Sequence, residues 1–149
     1  MNLIGLFKRT ASSSASVGSF TGDATRPRRM QLYDVIVGSE ASPTADNQFL
    51  WVFQRCTAAG TSTSVTLNPI DPADAATEQD AGQNHTVEPT YTAGLIMLEI
   101  PLNQRSTFRW IATEGGRVLT PATAANGLGI ATPTSAAVLV TCTAYLCEL

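Results

Sequence analysis

Residues 91–149 constrain the fold more than any other part of the chain. Their apolar runs, at 95–100, 108–112, 117–119 and 137–146, are short, rich in β-branched and aromatic residues, and bounded by Pro, Gly, Asn or Thr. That pattern is the signature of strands. The stretch contains no His and no Lys, so it offers few groups able to move a proton at neutral pH. It reads as material for packing and assembly.

The segment upstream continues the pattern. Residues 32–37 read as a strand closed by Gly38, and residues 49–56 as a strand whose first five positions are apolar on both faces. Burial on both faces implies a central strand or an oligomer contact. After a turn at Gly60, Thr61 and Ser62, residues 63–67 alternate and are expected to form a hairpin with the strand before. Gly115 and Gly116 are expected to join the 108–112 and 117–119 runs as a second hairpin. Seven or eight strands with little helix predict an all-β fold, an antiparallel sandwich of jelly-roll-like form. At 149 residues the chain fits a single body over 31–149.

Residues 1–30 read differently. They carry Lys8, Arg9, Arg26, Arg28 and Arg29 against Asp23 alone, a net charge of +4 that, with −3 on the whole chain, leaves −7 elsewhere. The serine run at 12–16 lacks apolar surface to bury. An extended basic N-terminal arm is expected, with an apolar tip of Leu3, Ile4, Leu6 and Phe7 and a basic base of Arg26, Arg28 and Arg29 as candidate contacts to a partner.

Between 68 and 89 the periodic signal vanishes, which predicts a long polar connection with a helical turn or two over 74–79. Asp71, Asp74, Glu78 and Asp80 make it a candidate contact loop between subunits. They lack the Asp-x-Asp-x-Asp-Gly order that places oxygen ligands around one cation, so no metal is expected.

Chemistry has few candidates. His85, the one histidine, is expected to be an exposed loop residue, and no Gly-x-Ser-x-Gly elbow places a nucleophile for it. Gly127 and Gly129 lack the third glycine of a dinucleotide site. An enzyme is not expected, nor a cofactor. Cys56, Cys142 and Cys147 show no metal spacing; five residues apart on one strand, Cys142 and Cys147 point to opposite faces. Buried thiols and a reducing compartment follow, with synthesis in the cytoplasm and no export signal or membrane span. The arginines suit phosphates, but without interleaved aromatics no specific nucleic-acid binding is expected. Trp51, Trp110, Phe49, Phe53, Phe108, Tyr91 and Tyr145 sit inside strand runs and are read as core, with a sugar-stacking platform as the alternative. Arg109 is expected to pair with Glu99 on a neighbouring strand.

The wording Asn103-Gln104-Arg105-Ser106-Thr107-Phe108-Arg109-Trp110, then Gly115-Gly116, then Thr120-Pro121-Ala122-Thr123-Ala124-Ala125-Asn126-Gly127-Leu128-Gly129-Ile130 with Thr132-Pro133-Thr134, resembles small virion proteins of tailed bacteriophages. The segments 71–78 and Asn84-His85-Thr86 are similar to the same group, and the likeness covers residues 45–149. It implies a capsid cement or decoration protein on the surface of the phage head, binding the major capsid protein and forming a homo-oligomer, with a trimer favoured. It carries over no active-site residue. The alternative class is a carbohydrate- or receptor-binding module of a phage fibre or tail.

Overall fold

A computed structural model describes residues 1–11, 14–41, 46–133 and 137–149. Ser12 and Ser13 of the serine run, Pro43 of the first polar loop and Thr134 of the phage-like wording lie outside the described residues. The described residues form strands and connections with no helix. The strands are β1 (Asn2–Thr10), β2 (Gly18–Thr21), β3 (Met30–Ser39), β4 (Gln48–Cys56), β5 (Thr61–Ser64), β6 (Asn68–Pro69), β7 (Asp80–Val87), β8 (Tyr91–Asn103), β9 (Thr107–Ile111), β10 (Val118–Leu119), β11 (Gly127–Ala131) and β12 (Leu139–Glu148).

Two antiparallel sheets make a sandwich, as expected. One has the order β10-β3-β12-β1-β6, with β9 also on β3; the other runs β5-β7-β2-β11-β4-β8. The chain changes sheet between β1 and β2, β2 and β3, β3 and β4, β5 and β6, β6 and β7, β8 and β9, β10 and β11, and β11 and β12. Across the sandwich β1 makes contact with β7. These pairings show the sandwich and do not extend to the jelly-roll winding expected from the strand count.

The core lies between the sheets. Phe7, Phe20, Trp51, Phe53, Leu32, Leu128 and Leu146 are fully buried there. β12 shows the alternation that produces this, with Val140, Cys142, Ala144 and Leu146 inward and Thr141, Thr143, Tyr145 and Cys147 outward.

Several sequence expectations are corrected. The segment expected as an arm is instead built into both sheets: β1 lies between β12 and β6, and β2 between β11 and β7. Its apolar content, too small to order the segment alone, is stabilised by long-range partners, and Leu3 and Phe7 are completely buried. Gly18 makes room for this, since a Cβ there would stand 2.4 Å from Cδ1 of Phe7.

The two hairpins do not form. β5 pairs with β7 at the far edge from β4, and β9 and β10 both pair with β3 along one edge instead of with each other. Gly115, at φ 81, turns a loop out between them.

The polar connection at 68–89 is half strand. β7 has no apolar periodicity, yet it pairs with both β2 and β5. Residues 74–79, expected as a helical turn, are irregular, following a turn at Pro72 and Ala73. His85 on β7 is buried, at 2% exposure, where an exposed loop residue was expected.

Candidate functional site

The outer face of the β3-β12-β1 sheet is built in rows by strand register. One row runs Ile4, Tyr145, Asp34, Ile111, and the next Leu6, Thr143, Ile36, Arg109. Alternation alone sends these side chains away from the core, because their neighbours Leu3, Gly5, Phe7, Val35 and Val37 face inward. Leu6 and Ile111 are well exposed, while Ile4, Ile36 and Tyr145 are half-buried. The ring of Tyr145 lies against Tyr33, with centroids 6.4 Å apart.

Asp34 is the charged centre of this apolar face. Arg109 donates from Nε to its Oδ1 at 3.0 Å and Oδ2 at 3.1 Å, and its terminal nitrogen also bonds Oδ2. This replaces the expected pairing of Arg109 with Glu99. The hydrogen bond and charge of Asp34 raise the guanidinium pKa further, so it stays cationic. Charge is thus paired in the middle of the face, among apolar side chains and threonines, and Lys8 and Glu40 form a second exposed pair on it at 3.0 Å.

The expected contact residues divide by strand alternation. Ile4 and Leu6 belong to this face, whereas Leu3 and Phe7 are core. Arg26, Arg28 and Arg29 lie in the connection from β2 to β3, ordered by Asp23, whose Oδ1 accepts from the Thr25 backbone and hydroxyl and from the Arg26 backbone. Those bonds hold the Asp23 carboxyl at about 2. Arg26 pairs with Glu78 at 2.9 Å, and Arg28 with Glu148 at 3.4 Å. The other acids do not converge: Asp71 caps its own turn by accepting from the Ala73 backbone at 2.9 Å, Asp74 is exposed, and Asp80 starts β7. Among the described residues no three His, Cys, Asp or Glu side chains stand together for a metal.

A second polar cluster, not anticipated, ties the β1–β2 connection to β7 and β8. The Ser16 hydroxyl lies 2.5 Å from both Glu88 Oε2 and Tyr91 OH, and its backbone N–H donates to the same carboxylate at 2.9 and 3.0 Å. Arg9 donates to the carbonyls of Ser16 at 3.1 Å and His85 at 2.9 Å. Ser19 Oγ and His85 Nε2 are 3.0 Å apart. Burial lowers the His85 pKa, favouring the neutral ring, and raises that of Tyr91. Among the described residues no carboxylate is hydrogen-bonded to the His85 ring, and the Glu88 carboxylate is taken up by Ser16. A serine, a histidine and an orienting acid are therefore not joined as a triad requires. The cluster's evident work is to pin three chain segments where the two sheets meet. Its sequence signal was slight, since these residues lie 72 and 75 positions apart in chain order.

The aromatic residues read as core are divided by the fold: Phe108 is exposed and Tyr145 half-buried on the outer face, and the side chain of Phe49 lies outside the described residues. Trp51 and Phe53 are core, and Trp110 packs against it. A cleft of about 320 Å³ does open beside β5 and β7, lined by Ser19, Thr21, Thr61, Ser62, Ser64 and Asp80. Burial raises the pKa of Asp80 there. Asn126 bonds the Ala124 carbonyl at 3.0 Å, and Gly127 is buried.

Among the described residues no helix is long and apolar enough to cross a membrane. Comparison with family models, with curated proteins and with solved structures finds no match for this chain.

Proposed function

We propose that this chain is a virion structural protein, a capsid cement or decoration protein of a tailed phage that self-associates and binds the major capsid protein. The observation that carries the proposal is the outer face of Ile4, Leu6, Ile36, Tyr145 and Ile111 around the neutralised Asp34–Arg109 pair. A rigid sheet presenting apolar side chains gives contact area without the entropy cost of ordering a tail. The resemblance of residues 45–149 to phage head proteins supplies the partner class.

The test is binding to heads of the encoding phage assembled without this protein. Saturable co-sedimentation and a raised disruption temperature of the heads are expected, with both lost in Leu6→Asp. Absence of binding by the folded wild-type protein rejects the proposal.

The cleft lined by serines, threonines and Asp80 favours a second reading, a carbohydrate-binding module. A glycan array with saturable hits, abolished by Asp80→Ala, would establish it in place of decoration.

A further inference from the structure

The outer side of the β5-β7-β2-β11-β4-β8 sheet carries a pocket with its own chemistry. Trp51 and Phe53 of β4 face the core, so Val52 between them turns outward, in register with Ala131 of β11. Gln54 lies opposite Gly129, whose missing side chain admits Tyr91: a Cβ there would stand 2.4 Å from the phenol oxygen. Val52, Ala131 and Pro133 give apolar walls, and Gln54, Glu88 and Tyr91 polar ones, to a cavity of about 250 Å³. That is below the size of sites for drug-sized molecules and suits a small ligand.

The polar wall is made of acceptors. Ser16, completely buried, has one hydroxyl proton and gives it to Glu88 Oε2, so the Tyr91 hydroxyl donates to Ser16 and its oxygen remains an acceptor. Gln54 commits its amide nitrogen to the Thr92 carbonyl at 2.8 Å, which leaves Oε1 to accept. All the bonds to Glu88 come from Ser16, two of them to Oε2 and one to Oε1, so Oε1 keeps an open position.

Glu88 is also an anion without a cation. It is half-buried, yet none of the 9 Lys and Arg residues, all of them described, forms an ion pair with it. Arg9, which reaches the same cluster, spends its guanidinium on the carbonyls of Ser16 and His85. A carboxylate withdrawn from water favours a partner of opposite charge. Glu88 is the one carboxylate lining the cavity, and no His or Cys joins it, so the site does not suit a bare metal ion.

We propose that this pocket binds an aliphatic ammonium ion, its head between Glu88 Oε1, Gln54 Oε1 and the Tyr91 oxygen and its chain against Val52, Ala131 and Pro133. An ammonium has three donors for these three acceptors, and an aromatic side chain beside it adds attraction. A free amine and the lysine side chain of a partner present the same head. The pocket lies on the other sheet from Ile4 and Leu6 and needs no capsid to be filled.

Amide chemical shifts of the isotope-labelled full chain, titrated with n-butylammonium chloride, test it. Saturable shifts at Ser16, Val52, Glu88 and Ala131 are expected. The neutral isostere n-butanol should bind roughly tenfold more weakly, and Glu88→Gln should weaken butylammonium by a similar factor, as loss of a charge-assisted hydrogen bond implies. Ala131→Leu fills the cavity without altering the Ser16 bonds; it should abolish the shifts, and it covers a folding failure of Glu88→Gln. N-acetyl-lysine amide separates the sources. Shifts with it as well assign the site to a partner's lysine, and shifts with butylammonium alone assign it to a free amine; both uphold the pocket. Absence of saturable shifts, equal affinity for n-butanol, or binding unchanged in both variants overturns the inference.

Discussion

Arg109 on the edge strand β9 closes over Asp34 on β3, its Nε 3.0 Å from Oδ1, and leaves the carboxylate side chain only 7% exposed. The two residues stand on adjacent strands and are offset by one row, since Asp34 is in register with Ile111 and Arg109 with Ile36. The partners are unequal in their dependence. Removing Asp34 leaves a largely solvated guanidinium, whereas removing Arg109 strands a buried anion.

Arg109→Ala is therefore expected to lower the urea midpoint more than Asp34→Asn does. Equilibrium unfolding of both variants in one buffer checks the order. Equal midpoints would mean that Asp34 is stabilised by its other neighbours.

Deletion of residues 1–28 is expected to abolish folding, because it takes β1 from the middle of one sheet and β2 from the middle of the other. Phe7→Ala is the graded form of the same test. It should cost about 4 kcal/mol, as loss of a fully buried aromatic side chain does. A soluble truncation with native circular dichroism would return these residues to the status of an arm.

Gly18→Ala places a methyl group against the ring of Phe7 and is expected to destabilise by about 2 kcal/mol through overpacking. Pairing it with Phe7→Leu should recover part of that loss relative to the sum of the single changes. A double-mutant cycle in urea reads the coupling, and strict additivity would count against the contact.

Burial depresses the His85 pKa below its ordinary 6.5 in the folded chain. The unfolded chain then binds more protons as pH falls through 6.5, so this residue's contribution is complete above that value and shrinks below it. Unfolding midpoints between about pH 7.5 and pH 5.5 should decline for the wild type and flatten for His85→Gln. An identical slope in both would show that other groups titrate there.

Thiol labelling separates the cysteines. Cys56 and Cys142 are buried, and burial raises both, Cys56 to about 11. Cys147 is half-buried on the outer face. One thiol per chain should react under native conditions and three after denaturation, with the native label on Cys147.

The strand content was legible because short apolar runs bounded by turn residues are written locally, and the opposite facing of Cys142 and Cys147 on β12 because side chains alternate along a strand. β4 was legible as either a central strand or an oligomer contact, being apolar on both faces, and the fold places it between β11 and β8. Only half of the candidate face was legible. Ile4 and Leu6 drew notice as apolar residues, but assigning them outward and Leu3 and Phe7 inward required β12 as the partner that fixes the register. β7 gave no local sign, since Asp80 to Val87 is held by hydrogen bonds to β2 and β5 and by the pairing of His85 with Ser19.

By itself the sequence determined that this protein is a β structure with few groups for acid–base chemistry, because local alternation and residue inventory need no partner to be read. Tertiary structure decided that residues 2–10 are a central strand, that Arg109 neutralises Asp34, and that Ile4, Leu6, Ile36 and Ile111 share one outer face. Each depends on strand order and register, set by contacts between residues tens of positions apart, and such pairings leave no trace in any single segment of the chain.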